Sequence, residues 1–142
     1  MVPENPCVLF LCTHNSARSQ MAEALLRRRA GDRYRACSAG TEPTDVHPMT
    51  RRVLEEVGID TSTLRSKPLS EFLGKVAPRY AIVVCAQAAE SCPRLYPFAM
   101  TVLRWPLDDP SRVQGSEELQ LAAFRRTRDE IDAKLRDWLR EN

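Results

Sequence analysis

Val8-Leu9-Phe10-Leu11-Cys12-Thr13-His14-Asn15-Ser16-Ala17-Arg18-Ser19 passes from a continuous apolar run into a polar loop, and from there directly into the helix-forming Gln20-Met21-Ala22-Glu23. A strand, a short loop and a helix in that order set Cys12 at the base of a ring of backbone N–H groups. The free N–H groups and positive dipole end of the helix join that ring. Such a field attracts a tetrahedral oxyanion and favours thiolate, the nucleophilic form of cysteine. Arg18, six residues on, can grip two oxygens of the same anion. Cys12 is therefore the candidate nucleophile, and Thr13, His14, Asn15, Ser16, Ala17 and Arg18 are the candidate oxyanion-binding positions. Cys-x5-Arg-Ser/Thr arises by chance in on the order of one unrelated chain in a hundred. The strand before it and the amphipathic helix after it make coincidence far rarer, because context is what confirms a motif.

Outward from this loop, strand and helix patterns alternate, the signature of an α/β domain with a parallel sheet. Cys7–Leu11 is apolar throughout, as expected of a central strand covered on both faces. The first helix carries Met21, Ala22, Leu25 and Leu26 on one face and ends at Gly31-Asp32, with Arg27-Arg28-Arg29 complementing its dipole. Further strands are expected at Arg33–Ser38, Tyr80–Val84 and Met100–Arg104, and short helices at Met49–Glu56 and near Ser70–Leu73. A long amphipathic helix is expected from Glu117 to Arg140, with Trp138 as a core anchor. Residues 1–142 are read as one domain, a four-stranded parallel sheet with helices on both faces.

The chain has 142 residues and a formal charge of +2, with acidic and basic residues interspersed. No concentrated basic stripe points to nucleic acid. The run Cys7–Cys12 is too short to span a bilayer, and Met1-Val2-Pro3-Glu4-Asn5-Pro6 lacks the regions of a secretory signal. A cytoplasmic protein without a membrane partner is expected. Five cysteines in a reducing compartment then argue for catalysis or redox chemistry over a structural disulfide framework. Cys7 and Cys37 fall inside expected strands and read as buried, inert thiols.

Cys85 lies just beyond the third strand, at the strand C-terminal ends, so it shares the ligand-binding sheet edge with Cys12. If Ala86–Glu90 is helical, Cys92 lies about 10 Å further along the axis. A disulfide between the two would then need local unwinding. Zinc is disfavoured, since no C-x2–4-C knuckle is present and neither histidine falls in a ligand pattern. After the last strand, Asp108-Asp109-Pro110 offers a carboxyl at the same edge, either as a general acid or as an ordinary turn cap. The residues alone do not choose between the aspartates.

Together, the Cys12–Ser19 loop, Ser38-Ala39-Gly40, Cys85…Cys92-Pro93, Trp105…Asp108-Asp109-Pro110 and the Phe124–Ile131 helix resemble the thioredoxin-coupled arsenate reductases. Those enzymes share the fold of the low-molecular-weight protein tyrosine phosphatases. The resemblance implies that the Cys12 thiolate attacks arsenate held by the loop and Arg18, that Ser19 keeps the sulfur ionised, and that Asp109 protonates the leaving oxygen. Cys85 then attacks the Cys12–arsenic adduct to release arsenite, Cys92 attacks Cys85, and thioredoxin reduces the Cys85–Cys92 disulfide. It also implies a monomer that needs no cofactor.

This loop departs from the family in carrying His14 and Ala17, where relatives often have Gly and Cys. His14 reads as solvent-facing, and Ala17 removes a thiol open to over-oxidation. Some relatives hold potassium through positions matching Asn15, Glu23 and Ser38 plus an aspartate. Here that aspartate position is Lys67, whose ammonium replaces the cation, so no potassium requirement is expected. The main alternative is a phosphatase acting on phosphotyrosine, which shares the loop and the Asp-Pro turn. It has no use for Cys85 and Cys92, and Ser111-Arg112 stand where aromatics usually hold a substrate ring. A non-catalytic redox sensor, or a reductase served by a small thiol, are further alternatives.

Overall fold

A computed structural model describes residues 5–85 and 99–142. The elements are β1 (Cys7–Cys12), α1 (Arg18–Ala30), β2 (Arg35–Gly40), α2 (Pro48–Glu55), β3 (Tyr80–Cys85), β4 (Thr101–Leu107) and α3 (Glu117–Glu141). The strands form one four-stranded sheet in the order β2-β1-β3-β4, and every pairing is parallel. The order reverses between β1 and β3, the switch point where a parallel sheet opens a crevice at its strand C-termini. Cys12 ends β1 and Cys85 ends β3, so both border that crevice.

The two faces of the sheet bury different sets of side chains, as the alternation of a strand requires. Val8, Phe10, Cys12, Ile82 and Val84 pack against Met21, Leu25 and Leu26 of α1, Val53 and Leu54 of α2, and Phe124, Ile131 and Leu135 of α3. Cys7, Leu9, Leu11, Cys37 and Ala39 face the other way. There Phe72, Leu69 and Val76, in and beyond a 3-10 turn at Leu69–Glu71, cover them. All six residues of β1 are buried, as its apolar run predicts.

The main boundary difference lies in β4, expected to stop at Arg104 but continuing to Leu107 through Pro106. Proline is tolerated because β4 is an edge strand and its pairing slips there, with Val83 opposite Arg104 but Cys85 opposite Leu107. The extra residue carries Leu107 and the following aspartates to the sheet edge. Trp138 anchors α3 as expected, with its ring centroid 5.0 Å from Tyr80, 5.3 Å from Tyr34 and 6.4 Å from Trp105. Among the described residues no helix is long and apolar enough to cross a membrane.

Candidate active site

Loop 12–18 closes around the Cys12 sulfur. The Asn15 N–H donates to Cys12 Sγ at 3.2 Å, and Ser19 Oγ lies 2.8 Å from the same sulfur. Cys12 is buried and is a free thiol. Asn15 bends the loop with φ 51°, the left-handed region that asparagine tolerates better than most residues. Its side chain then becomes the hub of the site. Nδ2 donates to Ser19 Oγ at 2.8 Å and to Ser38 Oγ at 2.9 Å. Oδ1 accepts from Gln20 Nε2 at 2.9 Å and from the Lys67 N–H at 2.9 Å.

The rest of the loop is braced from outside. Thr13 is buried, and its carbonyl accepts from Glu42 N at 2.8 Å. Ser16 O accepts from His47 N at 3.0 Å and from Thr50 Oγ1 at 2.8 Å. His14 is exposed, as read from the sequence, with Nδ1 3.0 Å from Glu42 O. Ala17 caps α1 without any side-chain hydrogen bond, so the first-turn N–H groups of the helix remain directed at the loop. Gly40 at the end of β2 touches the loop so closely that a Cβ would sit 2.5 Å from Thr13 O and 2.9 Å from Asn15 N.

Arg18 is buried, its Nη1 donating to Leu107 O at 3.0 Å and its Nη2 lying 3.7 Å from Asp109 Oδ2. The structure thus separates the two aspartates, because Asp108 is exposed while Asp109 faces the guanidinium. Asp109 also caps the 3-10 turn Pro110–Arg112, Oδ1 accepting from Ser111 N at 3.0 Å and Ser111 Oγ at 2.6 Å. Turn cap and site carboxylate are therefore one residue, with one oxygen for each task.

Behind the loop sits a buried ion pair. Lys67 Nζ lies 3.4 Å from Glu23 Oε1 and donates to Arg65 O at 2.7 Å. The same Glu23 oxygen accepts from Ser38 Oγ at 2.7 Å, which connects this pair through Asn15 to the sulfur. Lys67 thus occupies the position anticipated for it, beside Glu23, Ser38 and Asn15. Among the described residues no group of three or more His, Cys, Asp or Glu side chains is placed to hold a metal.

Cys85 is half-buried against the same face of the sheet as Cys12 and is disulfide-bonded, whereas Cys7, Cys12 and Cys37 are free. Cys92 lies outside the described residues. The braces Gly40, His47 and Ser66, whose hydroxyl donates to Asn15 O at 2.5 Å, are distant in sequence from the loop and carry no spacing pattern of their own. Gln20 adjoins the loop, but nothing in its residue type announces its bond to Asn15. The tight turn of Asn15 had no glycine to announce it.

Residues 7–142 match the model of the low molecular weight phosphotyrosine protein phosphatase family. An arsenate reductase from Bacillus subtilis is 38% identical over 135 residues, covering 95% of this chain and 96% of that protein. A solved arsenate reductase in its phosphate binding state superposes with a TM-score of 0.79 at 28% identity, covering 96% of this chain and 98% of that one. The thioredoxin-dependent arsenate reductase of Corynebacterium glutamicum superposes at 0.73 with 31% identity, over 99% of this chain and 63% of the other.

Proposed function

This chain belongs to the low molecular weight phosphotyrosine protein phosphatase family, and on that premise we propose that it reduces arsenate to arsenite, using thioredoxin as reductant, in arsenic detoxification. The observation that carries the reading is the disulfide-bonded Cys85 on β3, packed on the same sheet face as the free thiol Cys12 of β1. A hydrolase working through Cys12 has no use for a second redox-active sulfur at that edge. The arsenate reductases among the relatives support the same choice.

In this mechanism the Cys12 thiolate attacks arsenate, held by the loop N–H groups and the Arg18 guanidinium. Asp109 hands a proton to the displaced oxygen, which leaves as water. Cys85, reduced at the start of the cycle, attacks Cys12 Sγ as a thiolate. The sulfur–arsenic bond breaks with its electron pair going to arsenic, so arsenic falls from the pentavalent to the trivalent state and leaves as arsenite. A Cys12–Cys85 disulfide remains. Cys92 attacks Cys85 Sγ, restores the Cys12 thiolate and forms Cys85–Cys92, which thioredoxin reduces by a further exchange.

The test is single-turnover arsenate reduction by pre-reduced protein, alongside hydrolysis of an aryl phosphate, with and without thioredoxin and its reductase. Cys12→Ser is expected to lose both activities. Cys85→Ser should keep the hydrolysis and lose arsenite release, because hydrolysis needs only Cys12, Arg18 and Asp109. Cys92→Ser should release arsenite once and then stop. A Cys85→Ser enzyme that still produces arsenite with thioredoxin contradicts the relay, and a wild type with hydrolysis alone makes the chain a phosphatase.

A further inference from the structure

Cys7 and Cys37 play no part in the proposed relay, yet their sulfurs lie 3.8 Å apart, the Cys7 thiol donating to Cys37 Sγ. Both belong to the sheet face opposite Cys12. Five residues of extended β1 separate Cys7 from Cys12, about 16 Å, so this pair cannot exchange with the catalytic sulfur directly. Each is 7% exposed. Cys37 lines a cleft of about 900 Å³ together with Arg35, Glu23, Lys67, Arg65 and Phe72, so a guest reaches the pair from the Cys37 side.

A disulfide is a poor use of this geometry. Cys7 is opposite Arg35 and Leu9 is opposite Cys37, so the two cysteines are diagonal neighbours across parallel strands. Such neighbours are offset by two residues along the strand and by one inter-strand spacing, which puts their Cα atoms about 8 Å apart, beyond the usual Cα separation of a disulfide. Bonding them directly would drag β2 against the fully buried β1. A single soft atom inserted between the sulfurs makes no such demand, because it adds a second bond to the span. Two thiols set side by side at a cleft are the natural ligand for a trivalent, thiophilic element.

We propose that Cys7 and Cys37 form a dithiol site that captures trivalent arsenic as arsenous acid, on the opposite face of the sheet from the Cys12 loop. The identity of the guest rests on the arsenate reductase reading, whereas the dithiol does not. Arsenous acid condenses with the two thiols: two S–H bonds and two As–O bonds break, two As–S bonds form, and two waters leave. Arsenic stays trivalent, so no oxidant or reductant is required, and its remaining hydroxyl faces the cleft. The Cys7 hydrogen bond, assisted by the Arg35 charge, lowers the Cys37 thiol against the cost of burial and raises Cys7 in turn, so Cys37 is the sulfur that begins the condensation.

The experiment uses the full chain with Cys12→Ser, Cys85→Ser and Cys92→Ser, leaving only this pair, and sodium arsenite as the probe. Native mass spectrometry and thiol titration are expected to show one arsenic per chain and both thiols lost together. Adding Cys7→Ala or Cys37→Ala should weaken retention at least ~100-fold, since a single thiol has no neighbour at high effective concentration. Circular dichroism checks that each variant is folded, and protection of the two thiols in the parent protein needs no further substitution. Two thiols that stay titratable in excess arsenite, or a folded single-thiol variant that retains arsenic equally well, overturn the site. Arsenate turnover by the wild type is measured separately. Its absence together with arsenite capture by the pair removes the proposed function and leaves the dithiol standing.

Discussion

Ser19 Oγ accepts from Asn15 Nδ2 at 2.8 Å and lies 2.8 Å from Cys12 Sγ. Toward a Cys12 thiolate, which has no hydrogen of its own, the hydroxyl can only donate. A hydrogen bond to a charged group contributes about 1.5–3 kcal/mol, so Ser19→Ala is expected to slow attack on arsenate about 10–100-fold. Rapid-quench kinetics of the first turnover measure it, and an unchanged rate means the hydroxyl does not serve the sulfur. Lys67 sets the other end of the same chain of contacts. With its ammonium beside Glu23 the buried carboxylate already has a cation, so arsenate turnover is expected to be equal in sodium and potassium salts. Lys67→Ala should lower stability by less than the ~3 kcal/mol of an orphaned buried charge, because Arg27 Nη2 stays 2.9 Å from Glu23 Oε2. Strong potassium stimulation of the wild type sinks the assignment.

Among the elements, β1 and α1 were legible because their chemistry is local. An apolar run, a Cys-x5-Arg-Ser spacing and a helical stripe all fall within one short stretch of chain. What holds the loop in shape was not, since the braces come from β2, the segment before α2 and the segment around Ser66 and Lys67. A sequence period records burial, not which distant hydroxyl meets which carbonyl. From the residues alone the choice between Asp108 and Asp109 was hidden for the same reason, and only the resemblance pointed to Asp109; the slip between Val83 and Cys85 and the contact of Asp109 with Arg18 are properties of the sheet edge. Gly40 is the sharpest case. A Cβ there would meet Thr13 O at 2.5 Å, and the obstacle is backbone that cannot swing aside. Gly40→Ala is therefore expected to push the Cys12 loop outward. A misplacement of about 1 Å can cost on the order of 100-fold in rate, while overpacking costs about 1–3 kcal/mol of stability. Arsenate turnover that falls far more than the population of folded protein bears this out. Wild-type activity in Gly40→Ala would show that β2 does not shape the loop.

Across the whole molecule, α3 is tied to the other helices by charge as well as by its apolar face. Arg29 of α1 meets Asp132 through a pair of hydrogen bonds at 2.7 and 2.9 Å. Glu56, just past α2, accepts from Arg125 Nη2 at 2.6 Å and from Arg128 Nη1 at 3.0 Å. The Arg29 guanidinium holds the Asp132 carboxyl below its ordinary range, and Arg125 and then Arg128 do the same for Glu56. A carboxyl whose folded pKa lies below its unfolded value adds stability at every pH above the unfolded value. That stability is lost as pH falls through the folded one. Melting temperature is therefore expected to hold steady down to about pH 5 and to drop through the carboxylate range below it. The Arg29–Asp132 pair is partly exposed, so its share is at most about 1 kcal/mol, less in high salt. Asp132→Asn should accordingly lower the melting temperature by about 3 °C near pH 7. The penalty should be clearly smaller near pH 3, below the ordinary carboxylate range, where the unfolded Asp132 takes up its proton before the folded one. Thermal melts of both proteins at the two pH values decide it. A penalty for Asp132→Asn as large at pH 3 as at pH 7 would mean that shape, not charge, binds α3 to α1.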